Sequence, residues 1–346
     1  MTASLTPPLV SETLEEYGGL TRAALADYLP TREPRGYLYD LLADYPRRAG
    51  KGMRPSICIA SARAFGARLG DALRSAVAIE LLHNALLIHD DIEDGSEERR
   101  GLPTLHRLHG IPLAINAGDT LTLMSLRPLL ENVTTIGPRL SLRILEETER
   151  MARESAEGQA MELGWRRDNA TAVDDAAYFE MVLKKTCWLG AIYPCRVGAL
   201  IGTGGSVALD PFIRFGFFLG AAFQIQDDVL NLVGDSERYG KELDGDISEG
   251  KRTLMLIHLL RTATPVERTR VIHVLGLPRE GKTPADIRWV RDRMDAYGSI
   301  DYARQIAHGF AGAALHEYSR VYGELPESRD KQFLAGLVTW VFERGA

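Results

Sequence analysis

Residues 82–101 read LHNALLIHDDIEDGSEERRG, and the apolar lead-in followed by two aspartates decides how the rest of the chain is read. Upstream, Leu73, Ala76, Val77, Leu81, Ala85 and Ile88 recur at steps of three and four. That spacing predicts an amphipathic helix over 71–94, with Gly95 as its stop. Asp90 and Asp94 then lie one turn apart on one face. A second acidic run stands at 223–235, FQIQDDVLNLVGD, where Asp227 and Asn231 have the same spacing. Each run gathers oxygen donors with no soft ligand beside them, which suits a hard cation such as magnesium. Two such clusters facing each other would hold several magnesium ions, and a diphosphate would bridge them.

Helical spacing continues through 116–130, 140–163, 176–201, 211–233, 253–261, 284–298 and 301–322, with turns at Gly137-Pro138, 202–205 and Leu277-Pro278. Period-2 alternation is nowhere sustained. The expectation is one all-α domain over 1–346, with the aspartate helices buried on most sides. Two charged segments, 95–103 and 234–252, each follow an aspartate run and place Arg99 and Arg100, or Lys241, Lys251 and Arg252, beside it. Loops so placed act as lids that exclude water. An EF-hand is excluded, because position three of the loop is Ile92 and position twelve is Gly101.

A second anion site is written upstream. Gly50-Lys51-Gly52-Met53-Arg54-Pro55 sets two cations three residues apart at a helix start. His83 shares a helical stripe with Asp90 and Asp94. Lys184-Lys185-Thr186 sits in an apolar helix, where a lysine needs a reason.

Bulk properties narrow the function. Hydrophobic residues make up 45% and charged residues 25% of 346, with a formal net charge of −6. A chain-wide nucleic-acid role would need a basic surface, and this chain lacks one. No stretch offers about 20 uninterrupted apolar residues, so no membrane span is expected. Cys58, Cys187 and Cys195 form no CxxC pair and read as buried reduced thiols. Without a basic segment leading an apolar one at its start, the chain is expected to be cytoplasmic.

The segments GKGMRP (50–55), LLHNALLIHDDIEDGSEERRGLPTLHRLHG (81–110), AINAGDTL (114–121), GQAMEL (158–163), KKT (184–186), FQIQDDVLNL (223–232) and GKELDGDISEGKRT (240–253) together resemble the trans-prenyl diphosphate synthase (polyprenyl synthetase) family, nearest the geranylgeranyl diphosphate synthases. The motif-bearing core spans about 50–260. The resemblance implies an isoprenoid-synthase helical bundle around a deep cavity, a homodimer, and Mg2+ held by Asp90, Asp91, Asp94, Asp227 and Asp228. It implies that Arg99, Lys185, Lys241 and Lys251 neutralise an allylic diphosphate. Lys51, Arg54, His83 and Arg100 would hold isopentenyl diphosphate, with Gln224, Thr186 and Gln159 in the polar lining. Ala85 and Leu86, five and four residues before Asp90, would set product length. At a rise of ~1.5 Å per residue, Ala85 lies about 7.5 Å below Asp90, so the floor falls deeper, with Leu123, Met124 and Trp188 as candidates. A terpene cyclase on the same scaffold would not need the isopentenyl diphosphate cations. A non-catalytic partner subunit would have degraded aspartate motifs. The departures are Ala49-Gly50 where the family often has Gly-Gly, Asn231 in place of a third aspartate, and Cys187-Trp188 where small residues are usual.

Overall fold

The structure is a computed structural model that describes residues 7–48, 50–234 and 243–343. It is an all-α bundle. In chain order come α1 (Pro7–Ala26), α2 (Asp40–Arg47), α3 (Met53–Ala64) and α4 (Leu69–Asp94), then the strands β1 (Glu98–Arg99) and β2 (Leu102–Pro103). Next are α5 (Leu105–His109), α6 (Ile111–Met124), α7 (Leu126–Glu131), α8 (Val133–Ile136), α9 (Pro138–Arg167) and α10 (Asp175–Val182). A π-helix, Leu183–Ile192, leads without a break into α11 (Tyr193–Gly202), and α12 (Pro211–Val233) follows. Helices Gly245–Glu249, Leu254–Thr262, Pro265–Gly276, Pro284–Ala296, Ser299–Tyr322 and Arg329–Glu343 complete the described chain.

Local chemistry explains the ends. At the start of α4 the Asp71 carboxylate accepts from the Arg68 amide and guanidinium, and Gly95, at φ 64°, stops the helix. Pro138 and Pro211 occupy first-turn positions of α9 and α12, where no amide is needed. Thr253, Thr264 and Thr283 cap three successive helices with their hydroxyls.

The expected pattern over 116–130 divides at Ser125 into α6 and α7, and that over 176–201 contains the π-helix. The charged segment 95–103 folds into a two-stranded hairpin, with Arg99 paired to Leu102. Both aspartate helices lie in the core, but the most enclosed stretch is elsewhere. Every residue from Cys187 to Ile201 is buried, as is every residue from Ala76 to Leu82 in α4. The main apolar cluster runs from Val10 to Val341, and a smaller one joins α1, α2, α4 and α6.

Close approaches to glycine set the position of the π-helix. It packs on α9 and α12. A Cβ on Gly158 would collide with the Lys185 backbone, one on Gly216 would stand 2.8 Å from Ile192 Cα, and one on Gly220 2.8 Å from Cys187 Sγ. Lys185 and Thr186 are held on this segment, so the three glycines fix where they stand. Gly158→Ala should therefore cost about 1–3 kcal/mol by overpacking, read as a lower denaturation midpoint with an unchanged slope. An unaltered midpoint would show that α9 does not constrain Lys185.

Candidate functional site

The first acidic run occupies the last turn and a half of α4, and the second the last two turns of α12. Carboxylates crowded in a core repel unless cations offset them. The fold supplies those cations from three other elements. Lys185 Nζ stands 3.2 Å from Asp90 Oδ1 and also contacts Glu162 of α9. Arg166 Nη1 meets Asp94 Oδ1 at 2.5 Å. Lys251 Nζ, from the segment after α12, reaches Asp94 Oδ2 at 2.8 Å and Glu249 at 2.7 Å. Burial disfavours the charged ammonium of Lys185, but Asp90 and Glu162 outweigh it and its pKa rises. The same balance, with Asp94 and Glu249 as partners, raises that of Lys251. Gln159 Nε2 donates to Glu93 at 2.5 Å and approaches Asp90 Oδ1 at 3.5 Å.

The second aspartate of each pair, like Asp94, meets protein donors in this structure. Asp91 is fully buried. The Tyr45 hydroxyl donates to its Oδ2 at 2.5 Å, and Arg99 Nε donates to Oδ1 and Oδ2 at 3.0 and 3.2 Å. Asp228 repeats the arrangement, accepting from the Tyr178 hydroxyl at 2.9 Å and from Gln224 Nε2 at 2.7 Å. Both carboxylates are thus engaged by protein donors and act as anchors for Arg99 and for Gln224, whose Oε1 in turn accepts from Thr186. Burial, then Asp246, drives the Asp228 carboxyl well above the usual range. The Asn231 side-chain oxygen accepts the Asp246 amide at 3.1 Å, holding the start of Gly245–Glu249.

Among the described residues, no three His, Cys, Asp or Glu side chains converge as a metal cluster. Magnesium does not require one, since it binds through one or two carboxylates completed by water and substrate phosphate. Asp90, Asp94 and Asp227 carry carboxylate oxygens, the hard donor type that such a site takes.

The second cationic site also assembles. Gly52, at φ 63°, approaches α1 so closely that a Cβ would stand 2.7 Å from Gly18 Cα. Gly50 plays the same part for Arg100, whose Nη2 would be 2.5 Å from a Cβ there. Arg54 is partly buried, and its enclosed Nε lacks a hydrogen-bond partner. A buried guanidinium N–H left unpaired is costly, and a phosphate oxygen would satisfy it. Burial holds the Arg54 and Arg100 pKa values below the usual arginine range, while Glu80 opposes this in both. Lys51 Nζ lies 5.0 Å from the centre of the Trp340 ring. His83 faces Glu80 at 3.5 Å without a hydrogen bond on Nδ1.

The structure thus brings together Asp90, Asp91, Asp94, Arg99, Gln159, Lys185 and Lys251 at one locus, and Arg54, His83 and Arg100 around Glu80 at another. Lys241 and Ala49 lie outside the described residues. Lys184 pairs with Glu154 and Glu157 on the outer side of α9 and takes no part. Sequence reasoning missed Tyr45, Tyr178, Glu80, Glu162, Arg166 and Asp246. Glu80 and Glu162 sit inside apolar or quoted segments and carried a signal. The tyrosines did not, because they stand 46 and 50 residues from their partners.

The polyprenyl synthetase family model matches residues 35–294. Geranylgeranyl pyrophosphate synthase of Geoglobus acetivorans is 33% identical over 97% of this chain and 99% of its own length. Geranylfarnesyl diphosphate synthase of Natronomonas pharaonis is 30% identical over 97% of this chain and 98% of its own. The crystal structure of geranylgeranyl pyrophosphate synthetase from Pyrococcus horikoshii superposes with a TM-score of 0.84 at 33% identity, covering 96% of this chain and 98% of that one.

Burial, then the charge of Arg54, pushes His83 from 6.5 to about 4, against the pull of Glu80. Between those values the unfolded chain binds a proton that the folded one refuses, so stability falls as pH is lowered through that window. His83→Gln should remove this contribution. The thermal midpoint of the wild type should drop more steeply than that of His83→Gln as pH is lowered from 6.5 to about 4. Parallel slopes would show that His83 protonates freely in the fold.

Proposed function

The chain belongs to the polyprenyl synthetase family and is a chain-elongating prenyltransferase; we propose that it joins an allylic diphosphate head-to-tail to isopentenyl diphosphate and releases geranylgeranyl diphosphate. The observation that carries this reading is the pairing of two unlike anion sites: an acidic motif threaded with lysines, and a separate pocket in which the partly buried Arg54 holds an enclosed, unpaired N–H.

Asp90, Asp94 and Asp227 would hold magnesium, which when bound neutralises the allylic diphosphate and favours its departure. Lys185, Lys251 and Arg99 stabilise the same developing charge, with Lys241 expected beside them. Asp91 and Asp228 orient Arg99 and Gln224. The C–O bond ionises to an allylic carbocation, and Lys51, Arg54 and Arg100 hold isopentenyl diphosphate with its alkene facing that carbon. His83, neutral, completes this pocket as a hydrogen-bonding wall. The alkene attacks, and the departing diphosphate takes the proton. No side-chain nucleophile is needed.

The apolar cluster from Val10 to Val341 supports reading 1–346 as one catalytic domain. Exposed Ile111, Ile115, Leu123, Leu126, Leu130 and Val133 run along α6 to α8 and support a homodimer. Free, buried Cys58, Cys187 and Cys195 fit a reducing cytoplasm. No described helix is long and apolar enough to cross a membrane. A terpene cyclase would have no use for the Arg54 pocket, and both aspartate motifs are intact, unlike those of a non-catalytic subunit.

Labelled isopentenyl diphosphate with farnesyl diphosphate should give a twenty-carbon product, and farnesyl diphosphate alone should give none. Cyclised product from farnesyl diphosphate alone would favour the cyclase. Asp90→Ala or Asp227→Ala should lower kcat by ~10²-fold or more with the fold retained. Near-normal turnover at saturating magnesium would remove these residues from metal binding.

Arg100→Ala should raise KM for isopentenyl diphosphate by the equivalent of about 1.5–3 kcal/mol, with a smaller effect on the allylic substrate. Equal defects for both would mean that the two sites are wrongly partitioned.

Ala85 is fully buried in the cluster shared with α6, whereas Leu86 packs on the main cluster. Neither is aromatic, which supports growth beyond fifteen carbons; twenty-five or more is the alternative. Ala85→Phe should shorten the product to fifteen carbons. An unchanged product distribution in a folded variant would place the length control elsewhere.

A further inference from the structure

We propose that Arg48 is a positioning residue for the reaction: it grips the backbone of the 98–103 hairpin and so aims Arg100 at isopentenyl diphosphate. The inference rests on the assignment of Arg100 to that substrate made above. Arg48 follows α2 directly, and its side chain is 3% exposed. Its Nε donates to Asp44 Oδ1 at 2.5 Å. Its Nη1 donates to the carbonyls of Arg99 and Leu102 at 3.1 and 3.3 Å, and its Nη2 to that of Pro103 at 2.7 Å. One guanidinium therefore ties both strands of the hairpin to α2.

Between those strands lie only Arg100 and Gly101, at φ 57° and 72°. Two positive φ values make a type I′ turn, whose first position favours Asn, Asp or Gly. Arginine has no short polar side chain to stabilise the left-handed region. Such a residue persists only where its surroundings over-determine it, and this happens at functional positions. Arg48 supplies that restraint from the backbone side. From the side-chain side, Arg100 Nη1 donates to the Tyr45 carbonyl at 3.3 Å, and its Nη2 would lie 2.5 Å from a Cβ on Gly50. Arg99 has its own anchor in Asp91, so loss of Arg48 releases Arg100 more than Arg99. Lysine cannot replace Arg48, because a single ammonium on a flexible stem does not span four acceptors in a plane.

The test is a double-mutant cycle on the full chain with Arg48→Lys, Arg100→Ala and the pair. KM for isopentenyl diphosphate, KM for farnesyl diphosphate, magnesium dependence and thermal midpoint are measured on each. Arg48→Lys should raise KM for isopentenyl diphosphate about tenfold and leave the other two kinetic readouts within about twofold. In the Arg100→Ala background it should add nothing. The same increase in that background overturns the proposal, as does a defect confined to magnesium dependence, which would point to action through Tyr45 and Asp91. If Arg100→Ala raises that KM and Arg48→Lys does not, the site assignment stands and the role of Arg48 falls. If Arg100→Ala leaves it unchanged, the assignment fails and the proposal with it. Arg48→Gln is measured alongside, so that a folding defect in one variant does not decide the result. If both unfold at the assay temperature, Arg48 is a residue of the fold alone and the proposal is overturned.

Discussion

Compensation of crowded negative charge is the constraint on which the site depends. Asp90, Asp94, Glu162, Asp246 and Glu249 surround two lysines, and none of these charges would be tolerated in the core singly. The cations come from distant places: Lys185 from the π-helix, Arg166 from the end of α9, Lys251 from beyond α12. Asp94 accepts from two of them, so the last turn of α4 is tied to elements 72 residues and more away in sequence.

The apolar packing serves that arrangement. The π-helix carrying Lys185 and Thr186 is squeezed between α9 and α12 at three glycines, which convert backbone proximity into side-chain placement. Tyr45 and Tyr178 reach from outlying helices to the second aspartate of each motif and fix Arg99 and Gln224 in turn. The two motifs therefore share one feature: the second aspartate of each accepts from a tyrosine hydroxyl of another helix. The hairpin after α4 extends the same logic, since a strained turn presents adjacent arginines to two different sites.

Much was legible before any coordinates. Apolar spacing of three and four gave the helices, because burying one face needs that period. Gly95, Pro138 and Pro211 marked ends through local backbone chemistry alone. The DDIED and QDDVLN runs marked where carboxylates gather at the ends of two helices, because that much is written in the string itself. The cations beside them in sequence, Arg99, Arg100 and Lys251, were found for the same reason.

Tertiary structure decided what depends on separation in sequence. Nothing in the string distinguishes Asp90 from Asp91 or Asp227 from Asp228; the difference arises because a helix points consecutive side chains about 100° apart. Asp91 thereby meets Tyr45, and Asp228 meets Tyr178. The neutral state of His83, the enclosure of 187–201 and the π-helical turn at Lys185 likewise follow from what packs around each residue. Sequence fixed which charges exist and on which helices they ride. Only the folded chain, by bringing low-dielectric surroundings and distant partners to each, determined which partners each of them meets.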